Sequence, residues 1–440
     1  MSVHPDAMPT LHDQGAKGHH AVAPGEIAVG VVIGRASEYF DFFVYGIASA
    51  LVFPQVFFPF AAPLQATLYS FAIFALAFVV RPIGTWLAFR IQHRWSRGTK
   101  LTVALFLLGT ATAGIAFLPG YAAIGTTSVA LLALFRLLQG LALGGSWDGL
   151  PSLLALNAPK QRRGWYAMLG QLGAPVGFIV AAALFAFLVS SLSSRDFFDW
   201  GWRYPFYAAF AINVVALFAR LRLVVAKEYE HELGQHELEP VAVGELVREK
   251  GRHVLIGAFA PLASFALFHI VTIFPLSWIL LYADQPIAGF LWVQVLGGFI
   301  AIGGVLASGV IADRYGRIPT LGGLALAIAM FSGFAPTLLG GGALAQDVFV
   351  LVGFLLLGLS YGQASGALTR NLGARYRYTG AAFTTDFAWL IGAAFAPLVA
   401  LWLCANFGLA YLGAYLLSGA ISTLVALLIH HRIRTGDAGA

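Results

Sequence analysis

The stretch VVIGRASEYFDFFVYGIASA, residues 31–50, carries the ionisable side chains Arg35, Glu38 and Asp41 inside an apolar segment. Further apolar residues flank this segment, so it is long enough to cross a bilayer as a helix. A charge near the membrane centre costs about 2.5–3.5 kcal/mol, and chains tolerate it where it faces a protein interior or a wet cavity. The stretch therefore predicts a membrane helix with one face on a functional cavity.

The composition of the whole chain extends this prediction to a membrane protein with many spans. Of the 440 residues, 59% are hydrophobic and 10% are charged, whereas an ordinary soluble protein is about 25% charged. The net charge of +6 comes from Lys and Arg spread over many short loops, which argues against a nucleic-acid partner. The single cysteine, Cys404, excludes an intrachain disulfide and is expected to be a small core residue.

Apolar windows of spanning length recur about twelve times along the chain. The predicted spans are 27–53, 64–90, 101–119, 125–156, 164–190, 204–223, 254–282, 286–312, 318–340, 346–369, 379–403 and 406–430. We predict an all-α membrane protein with 12 transmembrane helices in two six-helix bundles, 27–223 and 254–430. A cytoplasmic linker, 224–253, joins the bundles, and cytoplasmic tails occupy 1–26 and 431–440.

The distribution of Lys and Arg over the loops predicts the orientation. One set of loops holds Lys17, Arg90, Arg94, Arg97, Lys100, Lys160, Arg162, Arg163, Arg314, Arg317, Arg370, Arg375, Arg377, Arg432, Arg434 and the basic residues of the linker. The opposite set holds Arg195 and Arg203. The basic set is expected in the cytoplasm, which places the chain in the cell inner (plasma) membrane with both termini cytoplasmic.

The two halves of the chain carry similar segments. RGWYAMLGQLGAPVGF at 163–178 and YTGAAFTTDFAWLIGAAFAPLV at 378–399 each follow a basic loop and lead into a span. Basic loops also follow the second span of each half, at 89–100 and 308–320. Six helices plus six in a parallel repeat are typical of transporters that bind substrate at the midplane between the halves.

Five motifs follow one another along the chain: GRASEYFDFFVYG at 34–46, RPIG at 81–84, RLLQGLALGG at 136–145, WGWRYPF at 200–206 and RYTG at 377–380. In this order they resemble the major facilitator superfamily and, within it, the metabolite:proton symporter branch. That branch includes carriers of oxoglutarate, citrate, shikimate and proline or betaine. The resemblance implies the two-bundle fold and the import of a small metabolite with protons.

The chain departs from that family pattern at residues that matter for coupling. The loop after the second helix has His93 at the usual acidic position, whereas the corresponding loop of the second half retains Asp313. The fourth-helix signature has Ser146 in place of an acid, with Asp148 two residues on, and Asn157 stands where another acid is usual. Arg35 and Asp386 stand where the pattern has amides. The family's coupling mechanism therefore does not carry over position by position.

The first helix supplies the main proton-coupling candidates. Its polar positions 35, 38, 41 and 45 are spaced three, three and four apart, so they form one stripe. Arg35 and Glu38 can pair within the helix, while Asp41 needs another partner, and Arg136 of the fourth helix is the available cation. If a substrate anion displaces the arginine, Asp41 can take a proton. The proton-coupling candidates are Asp41, Glu38, Asp148 and Asp386; the alternative for Glu38 and Arg35 is a static structural pair.

Arg136 is the candidate anion receptor, since a guanidinium can meet a carboxylate with two parallel hydrogen bonds. The alternative is a permanent internal ion pair. The substrate-binding candidates are Arg35, Tyr45, Arg136, Gln139, His269, Gln294, Tyr361 and Trp389, although His269 and Trp389 also fit ordinary packing. The gating candidates are Arg94, Arg97, Asp313, Arg314 and Arg317. Arg81 is expected to brace a neighbouring helix or to extend towards the interface rather than to bind substrate.

The sequence carries neither an H-E-x-x-H motif nor a G-x-x-x-x-G-K-[ST] loop, so it predicts no enzyme, no cofactor and no metal site. We expect a monomeric secondary transporter in the lipid bilayer, importing a small organic anion, a mono- or dicarboxylate, with protons. One alternative is a proton-coupled carrier of a zwitterionic or cationic osmolyte such as proline or betaine. Another is a transport-dead membrane sensor, suggested by His93.

Overall fold

The computed structural model describes residues 24–146, 159–225, 239–364 and 372–437, and every regular element in these ranges is helical. The long helices are α1 (Pro24–Leu51), α2 (Pro63–Arg94), α3 (Arg97–Ala116), α4 (Thr126–Gly145), α5 (Arg163–Ser191), α6 (Tyr204–Val225), α7 (Leu262–Tyr282), α8 (Ile287–Tyr315), α9 (Arg317–Leu339), α10 (Ala343–Tyr361), α11 (Arg375–Phe407) and α12 (Ala410–Asp437). A further helix, Val243–Phe259, precedes α7 and is called the linker helix.

Among the described residues, ten of these helices are long and apolar enough to cross a membrane. The other two long helices are α1, which carries the charged stripe, and α6. The predicted all-α membrane fold is confirmed. The predicted fourth and tenth spans extend beyond the ends of α4 and α10, into 147–158 and 365–371, which lie outside the described residues. The N-terminal tail and much of the linker also lie outside them, and the domain boundaries stay a prediction.

Each half is built around a pair of helices in backbone contact. A Cβ atom added at Gly140 of α4 would collide with the Ala77 carbonyl of α2. The corresponding helices of the second half make the same kind of contact, since a Cβ at Gly358 of α10 would collide with the Ala301 carbonyl of α8. These glycines let the helix axes approach closely, as small residues do in membrane bundles. The second and fourth helices of each half therefore meet through the same kind of backbone contact.

Two helices change course near the middle of the bundle. α7 consists of Leu262–Thr272 and Phe274–Tyr282, with Pro275 in the first turn of the second segment. Proline lacks an N–H donor, so carbonyls of the preceding turn lose helical partners. Gln294 compensates, since its Nε2 donates to the carbonyls of Val271 and Thr272 at 3.1 and 3.0 Å. α11 has one wide π-helical turn at Trp389–Ala393, a feature common at functional sites.

Candidate substrate and proton site

The first two charges of the α1 stripe form a local ion pair. Arg35 Nη1 lies 2.8 Å from Glu38 Oε2, three residues along the helix. The Arg35 guanidinium also lies 5.8 Å from the centre of the Tyr39 ring. This pairing is the one that the sequence spacing anticipates. The charges of Arg35 and Glu38 therefore compensate each other, near the end of the bundle where α1 begins.

Asp41 is joined to Arg136 through neutral side chains rather than directly. Thr112 Oγ1 donates to Asp41 Oδ1 at 2.8 Å, and Gln139 Nε2 donates to Thr112 Oγ1 at 2.9 Å. Arg136 Nη1 then donates to Gln139 Oε1 at 3.1 Å. The expected direct pair between Asp41 and Arg136 is therefore absent from the described residues. Thr112 of α3 holds the intervening position, so carboxylate and guanidinium communicate through a hydrogen-bonded chain.

Arg136 is buried, with 1% of its surface exposed, and it is only partly satisfied. Its Nε donates to the Phe74 carbonyl at 3.1 Å, and its guanidinium lies 3.9 Å from the centre of the Tyr45 ring. Among the described residues, neither Arg136 Nη2 nor the Tyr45 hydroxyl has a hydrogen-bond partner. A buried polar group without a partner is costly, and such groups in native proteins usually meet water or a ligand.

His269 lies in the middle of the bundle, one turn before the break in α7. Its ring stacks on Phe42, with centroids 5.5 Å apart, and meets Phe74 edge to face at 5.2 Å. The side chain is fully buried, and both of its ring nitrogens lack a hydrogen-bond partner in the part of the chain that the structure describes. Phe74 also lies 4.8 Å from the Arg136 guanidinium. One ring thus separates two buried, partly unsatisfied polar groups.

Aromatic rings from both halves surround this pair, and we call them the aromatic box. Its members are Tyr39, Phe42, Phe74, Phe78, Phe268, Tyr361 and Trp389. Tyr39 of α1 and Tyr361 of α10 share a short hydrogen bond between their hydroxyls. The box places the predicted Trp389 beside His269, with ring centroids 6.1 Å apart, and the predicted Tyr361 beside Trp389. Sequence reasoning missed Tyr39 and Phe42, although both share the helical spacing of the charged stripe.

Asp386 lies apart from the box, towards the end of the bundle that carries the basic loops, here called the basic end. Its Oδ1 is 2.8 Å from Arg81 Nε, and its Oδ2 accepts from Thr85 Oγ1 at 2.5 Å. The Asp386 side chain is 4% exposed and that of Arg81 12%. Arg81 therefore braces a neighbouring helix, one of the two roles that the sequence favoured, and the ion pair joins one half to the other.

A second contact strengthens that junction at the basic end. Lys100 Nζ, at the start of α3, donates to the Tyr378 hydroxyl at 2.8 Å, and Tyr378 donates to Gln92 Oε1 at 3.2 Å. Together with the Arg81–Asp386 pair and Thr85, these contacts form what we call the side-chain seam. The sequence assigned Lys100 only to a basic loop, but the structure buries it. His93, nearby, has its Nδ1 3.1 Å from the Phe89 carbonyl of its own helix.

On the other side of the basic end, Asp313 binds the first turn of α5. It accepts from the backbone N–H of Gly164 at 2.6 Å and of Trp165 at 3.2 Å. Gln363 Nε2 donates to the Gly164 carbonyl at 3.2 Å, and a Cβ at Gly309 would press on Trp165. We call this set the backbone seam. The carboxylate is well placed, since a helix N-terminus favours negative charge.

The remaining gating candidates lie around these seams. Arg317 Nη2 donates to the Gln363 carbonyl at 3.1 Å. Arg314 and Arg94 are exposed and lie beside Tyr315 and Trp95, respectively. Their ring contacts are those expected of surface arginines. Arg97, in the first turn of α3, is partly exposed. Asp148, the other proton-coupling candidate, lies outside the described residues.

Comparison with known proteins gives consistent matches over most of the chain. The model of the Major Facilitator Superfamily matches residues 119–389. The inner membrane metabolite transport protein YhjE of Escherichia coli (strain K12) is 36% identical, over 93% of this chain and 94% of that protein. The shikimate transporter of the same organism is 30% identical, over 91% and 93%. The solved proton:xylose symporter XylE, bound to 6-bromo-6-deoxy-D-glucose, has a TM-score of 0.69 at 18% identity, over 93% and 95% of the two chains.

Proposed function

The chain belongs to the major facilitator superfamily, and from that premise we propose that it is a proton-coupled symporter of a small organic anion. The observation that carries this proposal is the buried Arg136, whose Nη2 has no partner and whose Nη1 leads through Gln139 and Thr112 to Asp41. An anion receptor and an acid thus belong to one hydrogen-bonded chain. The relatives named as metabolite and shikimate transporters support a small polar cargo.

The arrangement suggests how substrate and proton bind together. A substrate carboxylate accepts from Arg136 Nη2, where it adds a negative charge close to Asp41. Two carboxylates that share one buried cation repel each other, so Asp41 binds a proton when the substrate arrives. Glu38 and Asp386 already have cationic partners, Arg35 and Arg81, and serve this role less directly. The site loaded with anion and proton then carries no added charge when the halves move.

The orientation follows from the same proposal. The basic end faces the cytoplasm, since loops rich in Lys and Arg are retained on that side of the membrane. The side-chain and backbone seams then close the cytoplasmic end, so that substrate reaches Asp41 and Arg136 from the opposite side of the membrane. Opening of the two seams would release substrate and proton inside the cell. This is the alternating access that paired bundles perform.

Uptake into proteoliposomes under an imposed pH gradient tests the proposal. We expect an organic anion to accumulate when the gradient is inward and to equilibrate without accumulation when it is abolished. Asp41→Asn should abolish accumulation but spare counterflow, because exchange of bound substrate needs no net proton movement. The matched control is Asp199→Asn, since Asp199 is an exposed acid whose side chain is 63% accessible. Gradient-insensitive uptake by the unmodified protein would refute proton coupling.

A second candidate cargo is a zwitterionic osmolyte such as betaine. The observation in its favour is the aromatic box, because the faces of Trp, Tyr and Phe rings attract quaternary ammonium groups. Such a ligand would place its carboxylate on Arg136 and its ammonium among the rings. Competition against a transported anion discriminates the two: glycine betaine should compete strongly if the osmolyte is the cargo, and weakly if it is not.

A further inference from the structure

Six charges of the first, second, fourth and eleventh helices fall into three oppositely charged sets. Arg35 pairs with Glu38, and Arg81 with Asp386, each at 2.8 Å. Arg136 is connected with Asp41 through Gln139 and Thr112. These six charges therefore balance before any ligand binds. A ligand that adds one negative charge is balanced by one proton, whereas a ligand that adds two leaves a buried charge.

The hydrogen-bond donors that a ligand can reach in the aromatic box set a second limit on the charge of the cargo. Arg136 commits Nε to the Phe74 carbonyl and Nη1 to Gln139, which leaves Nη2 for a ligand. The guanidiniums of Arg35 and Arg81 already hold carboxylates. A single carboxylate can dock on Nη2, but a second carboxylate would find no unpaired cation among the rings of the described residues, because Arg35, 5.8 Å from the centre of the Tyr39 ring, already pairs with Glu38. It would lie against Phe42, Phe78 or Trp389, whose π-faces are electron-rich.

His269 offers polar contacts of a different kind. A neutral imidazole donates from one ring nitrogen and accepts at the other. Among the described residues both His269 nitrogens lack partners, and the rings of Phe42, Phe74 and Phe268 pack around the imidazole. The contacts suit one hydroxyl or carbonyl on an otherwise apolar body. An ammonium group is disfavoured, because the Arg136 cation already lies over the Tyr45 and Phe74 rings.

From these limits we infer that the cargo is a compact monocarboxylate, carried with one proton and without net charge movement, and that dicarboxylates are excluded. This inference rests on the proposed function and narrows it. The carboxylate binds Arg136 Nη2, the apolar body lies in the aromatic box, and His269 contacts a single neutral polar group. Selectivity then arises from the count of cations, since burying an unpaired carboxylate is far more costly than burying a methyl group.

Binding to the purified full-length protein tests the inference with matched ligands. Isothermal titration would compare benzoate with terephthalate, and butyrate with succinate, since each pair differs in the second carboxylate. We expect at least one monocarboxylate to bind and its partner to bind about tenfold more weakly or worse. Repeating the titration in buffers of different ionisation enthalpy should show uptake of about one proton per monocarboxylate. Arg136→Lys should weaken binding, and Arg203→Lys, which alters an arginine outside the site, should not.

Transport of the bound monocarboxylate completes the test. Its uptake under a pH gradient should be unchanged by an imposed potassium diffusion potential. Failure of all monocarboxylates to bind, equal binding of a matched dicarboxylate, or uptake that follows the membrane potential would each overturn the inference. Failure of the inference and failure of the proposed function give different results. A dicarboxylate accumulated by the pH gradient overturns the inference and leaves the proposed function intact, while betaine binding without any organic-anion binding overturns both.

Discussion

The side-chain seam and the backbone seam join the same two halves at the same end of the bundle, but through different chemical groups. In the side-chain seam, long side chains meet across the gap: Arg81 with Asp386 and Lys100 with Tyr378. In the backbone seam, Asp313 binds peptide N–H groups of a helix that lies at backbone contact distance. Ion pairs can be broken by a proton or by competing water, whereas glycine-mediated helix contacts persist. The difference suggests that the basic end opens at the side-chain seam and pivots on the backbone seam.

The largest effect is expected from Asp386→Asn. Removing one partner of a buried ion pair leaves Arg81 with an uncompensated charge, which costs about 3–5 kcal/mol. The basic end should then open, and a cysteine reporter at Ala382, a buried residue in the same apolar cluster as Phe89, should react much faster with a hydrophilic maleimide. The reporter requires Cys404→Ala, which removes the one native cysteine.

Two controls sharpen this experiment. Asp347→Asn alters an acid that Gln285 holds at the opposite end of the bundle and should leave the labelling rate unchanged. The double change Arg81→Gln with Asp386→Asn removes both charges and should restore most of the protection. Equal labelling in the single variant and the parent would mean that the ion pair does not hold the basic end closed.

The next effect, at the backbone seam, is expected from Gly164→Ala. Its Cβ would lie 2.7 Å from Ala312 Cβ and 2.9 Å from both Asp313 Oδ1 and the Gly309 carbonyl. Such overpacking typically costs about 1–3 kcal/mol, because the backbones must separate. We expect a lower melting temperature in thermal unfolding and slower transport. Gly303→Ala on α8 is the matched control, since a Cβ there meets nothing within 4 Å. A pair of variants with equal melting temperatures would argue against the pivot.

The features that the sequence predicted are those that depend on neighbours along the chain. The spans follow from hydropathy, and the Arg35–Glu38 pair follows from a spacing of three residues on one helix. The network around Asp41 was predicted in part. It links the first and fourth helices, as expected, but Thr112 rather than Arg136 lies next to the Asp41 carboxylate. Which neutral side chain stands between two charges depends on the rotation of a third helix, and composition does not determine that rotation.

The side-chain seam was harder to predict, because its partners are far apart in the chain. Arg81 and Asp386 lie in different halves, and the sequence offered several acids and bases to choose from. Lys100 looked like one more loop cation, yet it is buried against Phe89 and Tyr378. The family resemblance directed attention to His93 and away from Lys100. A departure from the family motif thus marks a region in which other residues make the contact between the halves, but it does not identify those residues.

The smallest effect is expected from His93→Asp, which restores an acid to the first-half loop. Phe89, one helical turn earlier, packs on Tyr378 with ring centroids 5.3 Å apart, so position 93 lies on the side of α2 that faces the start of α11. A carboxylate there would favour the N-terminus of α11 and would disfavour the C-terminus of its own helix. Because these effects oppose each other at an exposed site, we expect a net change of about 0.5 kcal/mol or less.

This small change becomes informative when the side-chain seam is already weakened. In the Asp386→Asn background, His93→Asp should slow labelling of the Ala382 reporter, because the added carboxylate supplies a contact of the kind that Asp313 makes in the other half. His93→Asn, which matches the size of Asp without its charge, is the control and should not slow it. If both substitutions act alike, charge at position 93 does not close the basic end. Lys100 and Tyr378 would then hold the side-chain seam without a contribution from position 93.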